Sequence, residues 1–169
     1  MSNKKLTIGL VFGGNSNEHD VSIQSAKTIY KALSHSINQR FIVNPIYINK
    51  YGFWEDFEYS KTILLEDNKT TSTIESNMNL INNLSNLPKA SDKIDVWFPA
   101  LHGPNGEDGV IQGLFKLSGK PFVGSGILGS SLGMDKIAMK SIFQSFNLPQ
   151  APYISLEREY IKNTNYIQS

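Results

Sequence analysis

The sequence predicts an α/β domain with three layers and a mostly parallel, open sheet. Three observations predict it. Short apolar runs stop abruptly at glycine-rich loops: residues 6–12 at Gly13-Gly14, and residues 94–101 at His102-Gly103. Each loop leads into apolar residues at helical spacing. The runs themselves are nearly continuous in apolar character, as strands buried on both faces require.

The elements follow in order. Residues 6–12 (LTIGLVF) read as a buried strand, followed by a polar loop over 15–20. Ser22, Ala26, Ile29 and Leu33, with Ser25 and Tyr30 beside them, then recur at helical spacing. Residues 41–49 (FIVNPIYIN) give the next strand, where Pro45, lacking an N–H, argues for an edge or a bulge. Strand, helix and strand make a βαβ unit. Residues 50–92 read as an insertion on the sheet: a turn into a small extra strand over 50–54, a Thr-, Ser- and Asn-rich stretch over 68–76, and one short helix over 77–87.

Regular organisation returns with a strand over 94–101. Val110, Ile111, Leu114, Phe115 and Leu117 then mark a helix stopped by Gly119. Residues 121–124 read as a short strand, and 126–133 and 135–146 as two helical pieces. Two prolines make 148–152 a linker, after which 153–156 opens another strand and 157–162 another helix. The expected organisation is one domain over 1–130, carrying the 50–92 insertion, then a connector and the start of a second domain over 131–169.

Composition narrows the function classes. The chain has 169 residues, 40% hydrophobic and 18% charged, which suits one domain and a short piece of another. With 16 basic and 15 acidic residues the net charge is +1, so neither a nucleic-acid footprint nor a polybasic membrane anchor is expected. The absence of cysteine removes disulfides, thiolate zinc sites and a cysteine nucleophile, and fits a reducing cytosol. The N-terminus is polar and the apolar run behind it is too short for a signal peptide or a membrane helix, so a cytoplasmic location is expected. His19, His35 and His102 lie far apart with no ligand spacing between them, so no metal site is expected.

The chemistry points to the two loops, because ligands of open parallel sheets collect outside the carboxyl ends of strands. The first, FGGNSNEHDVS over 12–22, lacks G-x-G-x-x-G, and a carboxylate at its mouth would repel phosphate. Glu18 suits a cationic group such as an ammonium. The competing reading is helix capping, with Asn15 as N-cap and Glu18 three residues on, or Glu18 and Asp20 complementing the helix dipole. In the second loop, LHGPNGEDG over 101–109, the glycines let backbone N–H groups approach a ligand. His102 can donate to a carboxylate, or serve as a hydrogen-bonded structural histidine; Asp108 can cap the following helix. Lys136 and Lys140 share a helix face, as a solvated basic surface or a phosphate contact.

Taken together these segments resemble the D-alanine–D-alanine ligase family. Residues 12–22 resemble its F-G-G-x-S-x-E-H-x-V-S loop. LHGPNGEDG with VIQGL behind it resembles the second motif, PFVGSG followed by SLGMDK the third, and LPQAP the entry to the central domain. The resemblance runs in order over about 6–162, and the 50–92 insertion is similar to the longer-chain subgroup. It implies a Rossmann-like pre-ATP-grasp domain followed by the beginning of an ATP-grasp domain. It also implies an ATP-dependent carboxylate–amine ligase of peptidoglycan precursor synthesis, using ATP with Mg2+ or Mn2+ and working through an acyl phosphate attacked by a second amine.

By the same resemblance Glu18 and His102 are the catalytic pair, anchoring the ammonium and the carboxylate of the first D-alanine. Val21 and Gly103 line that substrate, Ser22 supports the loop, Lys136 reaches the nucleotide phosphates, and the domain forms a homodimer. The family carries its nucleotide-closing elements and magnesium carboxylates beyond this point. The chain alone is therefore expected not to catalyse ligation, to bind D-alanine poorly and to hold neither ATP nor metal tightly. Two alternatives stay open: a non-catalytic binding or dimerisation module of the same family, and a related ligase using D-lactate or D-serine. A nicotinamide-binding domain is disfavoured by the missing fingerprint.

Overall fold

The structure is a computed structural model that describes residues 4–35, 40–66 and 89–156. The expectations for 68–76, 77–87 and 157–162 lie outside those residues. The chain divides into two compact units, Met1–Ser131 and Leu132–Ser169.

In the first unit, β1 (Leu6–Gly13), β2 (Phe41–Ile48) and β3 (Val96–Pro99) form a parallel sheet in the order β2-β1-β3. β1, the most continuously apolar segment, lies in the middle. Pro45 pairs in register with Leu10 on β2, an outer strand among the described residues. There a missing N–H leaves no inner ladder broken on both sides.

Side-chain alternation along these strands builds the layers. Leu10, Phe12 and Tyr47 pack on one face with Ala26 of α1 (His19–Ser34) and with Ile63 and Leu64 of α2 (Phe57–Leu65). Val11, Ile46, Ile48 and Trp97 pack on the other with Ile111 and Phe115 of α3 (Val110–Leu117). Helices on both faces of a parallel sheet are the three-layer arrangement the sequence predicts. Gly9, opposite Trp97 in the register, makes room for the indole: a Cβ there would sit 2.9 Å from Trp97 Cε3 and 2.7 Å from Ile94 Cδ1.

Several elements depart from expectation. The strand over 94–101 shortens to β3, although Ala100 N still donates to Val11 O at 2.7 Å. The strands expected over 50–54 and 121–124 each reduce to one bridge, Ile48↔Trp54 and Trp97↔Phe122. In the first, Asn49 Oδ1 accepts from both Tyr51 N and Phe53 N, closing a turn too tight for a longer ladder. In the second, the chain turns away at Gly124 (φ +121°). α2, inside the expected insertion, has no counterpart among the elements expected from sequence. Its signal is Asp56, whose carboxylate caps Tyr59 N at 2.8 Å, with Glu58 in the first turn. Residues 151–156 carry no regular structure, so the strand expected at 153–156 does not form among the described residues.

α4 (Ile127–Met134) and α5 (Lys136–Ser145) answer to the two expected helical pieces. Asp135 caps α5 by accepting from Ile137 N and Ala138 N, both at 3.0 Å.

Tyr47 supplies a prediction about the fold. Burial first, then the negative potential of Tyr59, Glu55 and Asp20, pushes its phenol up to about 12. The folded value thus lies above the unfolded value of about 10. Its contribution is fully present below pH ~10 and is lost as pH rises through ~12, an alkaline loss of roughly 2–3 kcal/mol. Urea midpoints measured at about pH 9 and about pH 12 are expected to show this difference between wild type and Tyr47→Phe; equal pH sensitivity in the two contradicts it.

Candidate functional site

β1 ends in a left-handed turn, with Gly13 and Gly14 both at φ +91°. This conformation excludes most side chains, and a Cβ on Gly13 would run into the Ile48 carbonyl oxygen. β3 ends beside it, and the second loop begins at Leu101.

Three side chains tie the two loops together. Ser22 is fully buried; its Oγ accepts from Gly13 N at 2.8 Å and donates to Ala100 O at 2.6 Å. Ser16 Oγ donates to His102 O at 2.8 Å and accepts from Glu18 N at 3.2 Å. Asn105 Nδ2 donates to Asn15 Oδ1 at 3.1 Å.

That last contact corrects the capping-box reading of Asn15. α1 starts at His19, so Glu18 itself is the N-cap residue, and its side chain makes no capping hydrogen bond. The carboxylate lies instead across the second loop: Glu18 Oε2 is 2.6 Å from where a Cβ on Gly103 would stand. At φ +73° position 103 favours glycine, and a side chain there would push the Glu18 carboxylate aside. Asp108 stands one residue before the N-cap Gly109 of α3, its Oδ1 accepting from Val110 N at 3.1 Å and its Oδ2 from Asn105 N at 2.8 Å.

His102 is held from two sides. Its Nε2 lies 3.0 Å from Ser25 Oγ, and its Nδ1 3.8 Å from Glu107 Oε1. Glu107 Oε2 in turn accepts from Gly103 N at 2.8 Å. The imidazole side chain remains 32% exposed, so the ring is fixed in orientation yet open to a ligand. Val21, at 55% exposure, presents an apolar side chain on the first turn of α1. Ser16, Ser25 and Glu107 are site residues that sequence reasoning does not single out. The only sequence signal for Ser25 is its place one helical turn beyond Ser22.

The arrangement sets a carboxylate, Glu18, and an imidazole, His102, on adjoining loop segments with glycine backbone between them. An ammonium pairs with the first by a charge-assisted hydrogen bond, and a carboxylate accepts from the second. His102 also borders an apolar cavity of about 350 Å³, walled by Trp54, Leu101, Val110, Ile111 and Leu114; Glu18, Val21 and Gly103 lie outside its lining.

Lys136 belongs to the second unit, where Nζ donates to Gly133 O at 2.8 Å. Lys140 there stands over the Tyr153 ring, 4.7 Å from its centroid. Among the described residues no three or more His, Asp or Glu side chains group to hold a metal ion, and no helix is long and apolar enough to cross a membrane.

Residues 7–125 match the family described as the D-ala D-ala ligase N-terminus. The chain is 59% and 60% identical to D-alanine–D-alanine ligases from two strains of Prochlorococcus marinus, over 100% of its own length and 47% of theirs. It therefore spans about half the length of these curated relatives. Among solved structures it is similar to the D-alanyl-alanine synthetase A of Vibrio cholerae (TM-score 0.70, 29% identity, 96% of this chain and 45% of that one). It is also similar to a D-Ala:D-Ser ligase of Enterococcus faecalis (TM-score 0.66, 29% identity, 98% and 49%).

Proposed function

Since the chain belongs to the D-alanine–D-alanine ligase N-terminal family, we propose that its two strand-end loops form the site for the first D-alanine of such a ligase. The observation that carries this reading is the placement of the Glu18 carboxylate against Gly103, the residue after His102. One small amino acid then meets a negative group at its ammonium end and a hydrogen-bond donor at its carboxylate end.

In this reading Glu18 fixes the ammonium and His102 the carboxylate. Val21 contacts the substrate from α1, the Gly103 backbone lines the floor, and Ser22 holds both loops in register. Ser25 and Glu107 orient the His102 ring. Positioning and electrostatics of this kind are what activation of a carboxylate by phosphoryl transfer needs from a protein. In the parent enzyme ATP with Mg2+ supplies the phosphoryl group, and Lys136 contacts its phosphates. The part this reading assigns to the residues named here is binding and orientation of the amino acid. In this reading the second unit belongs to the nucleotide-closing domain. The similarity to a D-Ala:D-Ser ligase favours a second reading on one point: the partner amino acid is chosen by residues beyond those placed here, while the first site stays the same.

Titration of the chain with D-alanine, followed by amide chemical shifts, tests the reading. D-alanine at millimolar concentration is expected to move residues 16–21 and 102–103, whereas propionate, which lacks the ammonium, is not. A hydrogen bond to a charged group is worth roughly 1.5–3 kcal/mol, so Glu18→Gln is expected to weaken binding by about 10- to 100-fold. Equal affinity for D-alanine and propionate, or an unchanged affinity in Glu18→Gln, removes the ammonium site.

A further inference from the structure

His19 follows Glu18 in the sequence but faces the opposite way. It is only 3% exposed, beneath the first loop and edge-on to Tyr47 with ring centroids 5.5 Å apart. Its Nδ1 lies 2.5 Å from the Gly14 carbonyl oxygen and its Nε2 3.0 Å from the Tyr47 hydroxyl. A carbonyl can only accept, so Nδ1 carries the proton. In the tautomer with its single proton on Nδ1, the ring presents a lone pair at Nε2 and the Tyr47 hydroxyl donates to it. Tyr47, itself only 7% exposed and with its ring packed near those of Phe12 and Tyr59, thus braces the far side of the imidazole that grips the loop.

We propose that His19 is a positioning residue for the amino-acid site: braced at Nε2 by the Tyr47 hydroxyl, it clamps the Gly14 carbonyl through Nδ1 and so fixes where the loop delivers Glu18. The backbone supports this. Gly14 N donates to Ile48 O at 2.8 Å, and His19 N donates to Ser16 O at 3.2 Å. With the Nδ1 bond added, the peptide groups at both ends of the 15–18 segment are anchored, one to the sheet and one to the helix start. Between them act the side-chain ties of Ser16 and Asn15 to the second loop, the Glu18 N–H bond to Ser16 Oγ and the Ser22 N–H bond to the Glu18 carbonyl. His19 reaches no ligand itself; its effect passes through the backbone to Glu18.

The functional half of this inference rests on the D-alanine reading; the structural half does not. Ring nitrogen shifts of His19 in the wild-type chain are expected to report Nδ1 protonated and Nε2 bare, and the opposite tautomer overturns the clamp. Two variants then separate geometry from packing. An Asn side chain places its amide nitrogen where Nδ1 stands, and a Gln side chain places it where Nε2 stands. Backbone relaxation of the 15–18 amides is expected to stay rigid in His19→Asn and to become mobile in His19→Gln; equal behaviour in both shows a packing role only and refutes the clamp. D-alanine titration alongside is expected to show affinity kept in His19→Asn and reduced about 10-fold in His19→Gln. Absence of binding in wild type overturns the site reading, while the relaxation result still decides the clamp. Binding in wild type with unchanged affinity in His19→Gln overturns the positioning role alone.

Discussion

Gly13→Ala is expected to destabilise the first unit by roughly 2–6 kcal/mol, a large share of the 5–15 kcal/mol typical of a whole domain. Two effects add. A non-glycine residue forced to φ +91° carries about 1–3 kcal/mol of backbone strain. The new methyl would also displace the Ile48 carbonyl, the acceptor of Gly14 N, and a buried polar group left unpaired costs about 1–3 kcal/mol. Gly52→Ala is the control. Its φ is +87° but no atom lies within 4 Å of the added Cβ, so it is expected to show the strain alone, about 1–3 kcal/mol. Urea unfolding of both variants measures the difference, and equal losses at the two positions contradict the close approach of β1 and β2 at the loop.

Ser22→Ala is expected to lose roughly 2–6 kcal/mol, because it strands two buried groups at once, each at about 1–3 kcal/mol. The hydroxyl accepts from Gly13 N and donates to Ala100 O; neither has another route to water where Ser22 is fully buried. Since those bonds span from β1 to the end of β3, the loss is expected to reach both loops. Amide exchange at Gly13 should accelerate with the fall in stability. Ser16→Ala, which removes an exposed to part-buried tie, is expected to cost about 1 kcal/mol or less. A Ser22 variant as stable as the Ser16 variant shows that the buried bridge is not what holds the strand ends.

Local signals in the sequence mark much of this architecture. β1, α1 and α3 announce themselves because an apolar run ending in Gly-Gly suits a buried strand turning into a loop, and apolar residues recurring at helical spacing suit one face of a helix. Pro45 marks an outer strand for the same kind of reason. What the sequence conceals is pairing. Whether 121–124 forms a strand or touches Trp97 at one bridge depends on how soon the chain turns at Gly124, and α2 hides behind a single cap at Asp56.

The candidate site divides along the same line. Glu18 and His102 stand out because a charged residue in a glycine-rich strand-end loop is conspicuous, and the family motif strengthens the hint. Ser16, Ser25 and Glu107 look like ordinary polar residues. Their meaning comes from contacts across the fold, Ser16 to His102 O and Ser25 to His102 Nε2, which no spacing rule encodes. Asn15 misleads for the complementary reason: its spacing to Glu18 fits a capping box, but its side chain turns outward to Asn105 and the helix begins later.

The proposed site requires Glu18 and His102 to grip opposite ends of one amino acid. The most direct measurement is a crystal structure of the chain with D-alanine bound. The expected result places the ammonium within hydrogen-bonding distance of the Glu18 carboxylate and the substrate carboxylate on the His102 ring, with the Gly103 backbone beneath. D-alanine seated away from these two side chains, or engaging one while the other stays turned away, contradicts that grip.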